Sequence, residues 1–162
     1  MDRTKEKTKR RYGRVDLVCD VLGAVCLLVM FLLVALYWNE LPELIPTHYG
    51  IDGQPNAWGG RGAILVLPIL SLILFASLTL VRFLPDRFYN YPVSVTEENR
   101  ERLGALGREM LSVLKVCFLL AFLPMVIIQV LDLPLPVWYM AVLLVLVFVP
   151  MVVYIIRMVK KK

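Results

Sequence analysis

Four long stretches of this chain carry no charged side chain. Val21 to Trp38 covers 18 positions, Ile64 to Val81 another 18, Val116 to Leu131 covers 16 and Val137 to Ile156 covers 20. In a soluble domain apolar positions recur with a period near 2 or 3.6; here they come in blocks. A helix of roughly 20 apolar residues crosses a ~30 Å hydrocarbon core, and Met110 to Lys115 can lengthen the shortest block. The pattern predicts an all-α integral membrane protein, a four-transmembrane-helix bundle forming one membrane domain over 1–162. The expected division is a tail at 1–13, helix 1 at 14–38, an outer loop at 39–61, helix 2 at 62–84, an inner loop at 85–109, helix 3 at 110–131 and helix 4 at 136–157. The first block exceeds the 7–15 apolar residues of a signal peptide and no small-x-small site follows it, so it reads as a retained anchor.

Charge orients these helices. Seven Lys and Arg residues precede position 15, one (Arg61) lies between helices 1 and 2, five lie between helices 2 and 3, none between helices 3 and 4, and four in the tail. This alternation predicts that both termini are cytoplasmic. The net charge of +5 is therefore a topology signal suited to the anionic inner leaflet, and nucleic acid is not an expected partner; the lipid bilayer is. Trp38, Trp58 and Trp138 all fall on the expected outer side, where aromatic rings favour the headgroup level. With 59% hydrophobic residues and a mean hydropathy of +0.72, little chain remains for a separate soluble core.

Some polar residues sit where the bilayer penalises them. Asp16 and Asp20 share one face near the inner end of helix 1, and Lys115 lies in the inner part of helix 3. Lys115 can snorkel to the interface or form an ion pair with Asp20. Before helix 3, Ser94 to Glu97 fits a capping box, with Thr96 as a second possible cap, and Glu98 and Arg102 form an i,i+4 pair. Leu103, Leu106, Met110 and Leu114 make one apolar stripe, predicting an amphipathic helix that runs into helix 3 and either seats it or meets a cytoplasmic partner. Pro68, Pro124 and Pro150 can each kink a helix. Cys19, Cys26 and Cys117 read as packing residues, since no CxxC or Cys/His cluster suggests metal or redox work.

The outer segment "LPELIPTHYGIDGQPNAWGGR" differs from everything around it. It contains the single histidine, His48, together with Tyr49, Asp52, Trp58 and Arg61, and a run of prolines and glycines that marks tight turns. One histidine with scattered carboxylates falls short of the three or four ligands of a zinc site. The loop has no serine or cysteine for a histidine to activate. No catalytic residue, metal or cofactor is assigned, and a membrane hydrolase assembled from several helices is the remote alternative. The segment is either a structural cap or a recognition loop, with His48, Tyr49 and Trp58 as its leading binding residues and Asp52 and Arg61 next.

This segment resembles the bacterial membrane domain of unknown function 1648. The family pattern runs Leu-Pro-x-x-Ile-Pro-x-His-Phe, then Gly-x-Pro, then Trp and Lys; Leu41, Pro42, Ile45, Pro46, His48, Gly53, Pro55 and Trp58 match it. Tyr49 stands for Phe, Gly50 for Asn and Arg61 for Lys, and the stretch from Tyr89 to Lys115 is similar to the short, stand-alone members. In longer relatives the domain precedes the SdpI-type domain of immunity proteins, which protect a cell from a secreted toxin peptide and relay its presence to a cytoplasmic repressor. The resemblance implies a multi-pass protein of the bacterial inner membrane. It also implies a non-enzymatic immunity or signalling accessory that recognises an extracytoplasmic peptide or other ligand, with a cytoplasmic regulator as a further partner. An accessory of a transport or envelope-maintenance system is the alternative.

The topology is testable by thiol labelling in a cysteine-free background. Cysteines replacing Asn56 and Asp132 should react with an impermeant reagent added to intact cells, and cysteines replacing Asn99 and Lys161 should not. Labelling at position 99 would overturn the orientation.

Overall fold

In the computed structural model, which describes residues 13–50 and 52–160, four helices are long and apolar enough to cross a membrane, and the architecture is that of a multi-pass membrane protein. The basic tail expected over 1–13 lies, except for Gly13, outside the described residues. Helix α1 spans Arg14–Tyr37, α2 Val66–Val81, α3 Arg100–Val130 and α4 Tyr139–Lys160. A 3-10 turn, Arg61–Leu65, leads directly into α2. Pro68 therefore falls in the first turn of α2, where its missing N–H costs no helical bond, rather than at a mid-helix kink. Pro124 and Pro150 do lie inside α3 and α4.

The amphipathic segment and the third span are one helix of 31 residues. Its start is built differently from the Ser94–Glu97 box. Thr96 and Asn99 exchange reciprocal side-chain bonds: the Thr96 N–H donates to Asn99 Oδ1 at 2.8 Å, and the Asn99 N–H donates to Thr96 Oγ1 at 3.3 Å. Asn99 replaces the glutamate of the usual box because its short amide closes the same ring. Arg102 does not show the expected Glu98 pairing but donates to the Arg157 carbonyl of α4 at 3.4 Å. The apolar stripe is consumed within the chain: Leu103 and Leu106 pack on Tyr154 and Met158 of α4.

Helix α3 is the centre of the bundle, touching α1, α2 and α4. Gly23 lets α2 approach α1, since a Cβ there would lie 2.7 Å from the Phe75 ring. The outer faces of α2 and α4 stay apolar and exposed, as at Ile73, Leu80, Leu144 and Val145, which suits helices bathed in lipid.

The all-α expectation fails in the outer loop. Leu44–Tyr49 (β1) and Pro55–Gly60 (β2) pair as an antiparallel hairpin. The physical reason is local: Ile45, Thr47 and Tyr49 are β-favouring residues, and the Gly50-to-Gln54 reversal supplies the turn. Gly53 adopts φ 77° there. A Cβ at that position would also meet the Leu135 carbonyl oxygen at 2.5 Å, so the hairpin tip rests directly on the chain between α3 and α4. Beneath the strands, Leu41 and Ile45 join Met30 and Val34 of α1, Ile64, and Val126 and Val130 of α3 in one core.

At the opposite end of the bundle, polar side chains from three helices meet. Arg82, one residue past α2, donates to both Asp20 carboxylate oxygens, at 2.9 and 3.3 Å, and lies 3.5 Å from Asp16. Ser112 of α3 accepts from Arg82 at 2.9 Å and donates to Asp16 at 2.5 Å. Lys115 pairs with Asp20, bonds Thr79 of α2 at 2.9 Å and lies 4.6 Å from the Phe75 ring centroid. With Lys115 only 1% exposed, snorkelling is ruled out. Among the described residues of this cluster, two carboxylates face two cations.

This cluster predicts energetic coupling. In reversible unfolding of the micelle-solubilised protein, Asp20→Ala and Lys115→Ala should each cost on the order of 3–5 kcal/mol, because each strands a buried charge. Their sum should exceed the cost of the double variant by more than the ~1 kcal/mol ceiling of exposed pairs. A coupling of zero would mean that the contact contributes nothing.

Candidate functional site

The hairpin end of the molecule collects the sequence-derived candidates but does not bring them to one point. His48 is exposed on β1, and its Nδ1 lies 2.5 Å from Asn56 Oδ1 on β2. An amide oxygen only accepts, so this contact requires the ring tautomer that donates from Nδ1. The register explains this pairing: Pro46 faces Trp58 and His48 faces Ala57, with irregularities on both sides of His48. The bulge turns Thr47 and His48 outward while Ile45 and Tyr49 point inward. Trp58 is 55% exposed. Asp52 is exposed in the tip, where its Oδ1 accepts from the Gln54 N–H at 3.1 Å and holds the turn. Arg61 opens the 3-10 turn at the other end of the hairpin, half-buried. Asp20 and Lys115, already described, lie far from all of these at the opposite end of the bundle.

Tyr49 belongs to a different environment. It packs on Leu135 and Tyr139, and Tyr139 anchors α4 by donating its hydroxyl to the Ala121 carbonyl. Burial, and secondarily the charge of Asp132, push the Tyr49 phenol above its ordinary value. It is thus a protonated hydroxyl at neutral pH.

Tyr49 also walls a cavity of about 290 Å³ between the hairpin and the α3–α4 connection, together with Pro46, Gly53, Gln129, Asp132 and Leu135. Gln129 fastens the hairpin to α3 by donating Nε2 to the Pro46 carbonyl at 2.7 Å. The α3 helix ends just above it. The Leu133 N–H bonds the Ile128 carbonyl at 2.9 Å, and Asp132 takes φ 50°. That is a Schellman closure with aspartate at the left-handed position usually held by glycine.

Sequence reasoning missed Gln129, Asp132 and Asn56 at this end and Arg82 and Ser112 at the other. Gln129 carried a signal, being the one strongly polar residue in its apolar block. Asn56 carried none, since its role depends on strand register. Arg82 was visible only as a topology charge.

Among the described residues no three His, Cys, Asp or Glu side chains group as metal ligands. What this end presents is an exposed imidazole and an exposed indole on a short hairpin, beside a small cavity.

Comparison with known proteins agrees with the special character of this region. An uncharacterized protein of Archaeoglobus fulgidus is 32% identical over 79 residues, which is 44% of this chain and 43% of that protein. The matched stretch thus spans less than half of the relative's length, and the relative is archaeal. No solved structure matches. The model of a family described as a domain of unknown function (DUF1648) matches residues 25–72. That match runs from the middle of α1 through the hairpin into α2.

Proposed function

We propose that this protein is a non-enzymatic membrane accessory that recognises an extracytoplasmic peptide with its hairpin end, in an immunity or signalling role. What supports this orientation is that the basic residues between α2 and α3 and at the end of α4 lie at the end opposite the hairpin. The observation that carries the reading is a division of labour within one hairpin. Ile45 and Tyr49 are buried in the bundle and Pro46 is bonded to α3, while His48 and Trp58 are left exposed. An interfacial aromatic belt accounts for a tryptophan at this level, but membrane insertion does not ask for His48 beside it. A rigid scaffold that displays a few polar and aromatic side chains on a connecting segment is the usual form of a recognition site. At the opposite end the Leu103–Leu106 stripe packs on α4, and Arg82 is taken up by Asp20 and Ser112.

The test is protection of a host strain against a secreted toxin peptide. His48→Ala and Trp58→Ala should each abolish protection while leaving the amount of protein in the membrane near that of the wild type. His48→Gln keeps hydrogen-bonding capacity without a titratable ring. Protection by the glutamine variant would show that a hydrogen bond suffices. If both His48 variants vanish from the membrane, the hairpin is a structural cap and the recognition reading fails.

A further inference from the structure

At the end of the molecule away from the hairpin, the first turns of α3 lie beside the last turns of α4, and a groove of about 390 Å³ runs between them. Helical spacing sets its walls. Arg102 and Leu106 are one turn apart on α3, and Val153, Ile156, Arg157 and Lys160 recur at three and four on α4. The lining therefore changes character along its length. Leu106, Val153 and Ile156 make an apolar half, and Arg102, Arg157 and Lys160 make a cationic half at the end of the bundle.

The cations of this groove are poorly matched by carboxylates. No aspartate or glutamate lines it. Arg157 has Glu109 at 3.9 Å, a loose contact, and its guanidinium lies 5.1 Å from the Tyr154 ring centroid. Arg102 is half-buried and donates to the Arg157 carbonyl at 3.4 Å, which holds its charge beside Arg157 without a carboxylate to offset it. Among the described residues neither Arg102 nor Lys160 forms an ion pair. Arg82 and Lys115, by contrast, sit against Asp16 and Asp20. Like charges held together repel, and an anion placed among them relieves that repulsion.

The apolar half says what kind of anion. Val153 and Ile156 are exposed on α4, on a helix whose charge-free run from Val137 to Ile156 has the length of a hydrocarbon core. Arg157 follows that run directly, so the cations stand where hydrocarbon gives way to headgroups. By the alternation of Lys and Arg this is the cytoplasmic end, and the cytoplasmic leaflet is the one that carries anionic lipid. A free phosphate would answer the charges and leave the apolar wall unused. A neutral lipid would do the opposite.

We propose that this groove binds one anionic phospholipid. Its phosphate meets the exposed Arg157 and Lys160 in charge-assisted hydrogen bonds, with Arg102 behind them as a fixed positive charge. The first methylenes of its acyl chains lie along Leu106, Val153 and Ile156. The volume is within the ~300–1,000 Å³ of small-molecule pockets and suits a glycerophosphate head with the beginning of its chains. Such a lipid clasps α3 to α4 at the end where the Asp16–Asp20 cluster does not reach α4.

The experiment uses the full chain in zwitterionic detergent micelles at one fixed ionic strength. The probes are dioleoyl phosphatidylglycerol, dioleoyl phosphatidylcholine and, as a head without chains, glycerol 3-phosphate. Native mass spectrometry counts bound lipid, and thermal melting follows stabilisation. The first phosphatidylglycerol should bind at least ten-fold more tightly than phosphatidylcholine and raise the melting temperature further. Arg157→Gln combined with Lys160→Gln should weaken it at least ten-fold while lipid-free melting stays near that of the wild type. Arg87→Gln combined with Arg100→Gln removes two exposed cations from the same end outside the groove and should change binding less than three-fold. Where a double variant is lost from the preparation, Lys160→Gln against Arg100→Gln gives the same comparison, with the groove change costing at least three-fold more. The inference is overturned if the two lipids bind alike or if the outside changes cost as much as the groove changes, which would mean a diffuse field only. It is also overturned if glycerol 3-phosphate binds as tightly as the lipid, which would make the occupant a free anion.

Discussion

Two carboxylates on α1 face the middle of the bundle, and an unpaired charge there would be expelled or neutralised. Everything at that end is arranged around satisfying them. Arg82 reaches both, Ser112 relays between Arg82 and Asp16, and Lys115 closes on Asp20 while bonding Thr79. Lipid tails give helices little hydrophobic reason to associate, so close packing and interhelical polar contacts set the partners. They fix α1, α2 and α3 relative to one another at one level. Arg82 must follow the last turn of α2, and Ser112 and Lys115, three apart, must share one face of α3. Helix α4 has no part in this cluster and is held instead through Tyr139 at one end and Tyr154 with Met158 at the other.

With three helices fixed at that level, their far ends present a platform, and the hairpin sits on it. Ile45 and Leu41 fill the space between α1 and α3, Gln129 fastens Pro46, and the tip leans on Leu135 through Gly53. Small connecting loops on membrane proteins have no obligation to be rigid. This one is held at its base, its side and its tip, so the groups it displays and the cavity it covers keep defined positions.

The spans were legible because the bilayer imposes a length and a composition, and the third span's amphipathic lead-in was legible because Leu103, Leu106, Met110 and Leu114 keep a helical period. The hairpin was not. Turn residues from Pro42 to Gly60 dominate the segment, and their density hid two six-residue strands. The bulge beside His48 also breaks the alternation that would have revealed them. Of the candidate site residues, the sequence placed His48, Tyr49 and Trp58 on the right segment but could not say that Tyr49 turns inward and the others outward. That is a property of register. Gln129 acts through Pro46, 83 positions away, a separation that no local pattern encodes.

The bond from Gln129 to Pro46 joins residues 83 apart in sequence. Chains emerge from the ribosome in order, and domains form as their parts become available. The hairpin segment therefore reaches its side of the membrane long before α3 exists to receive it, and contacts between distant parts of a chain form slowly. For that interval its buried face, Ile45 and Tyr49 included, has no floor. Completion of the hairpin end is thus tied to the formation of the third helix, and a nascent chain halted before α3 would carry the same hairpin sequence without the platform that shapes it.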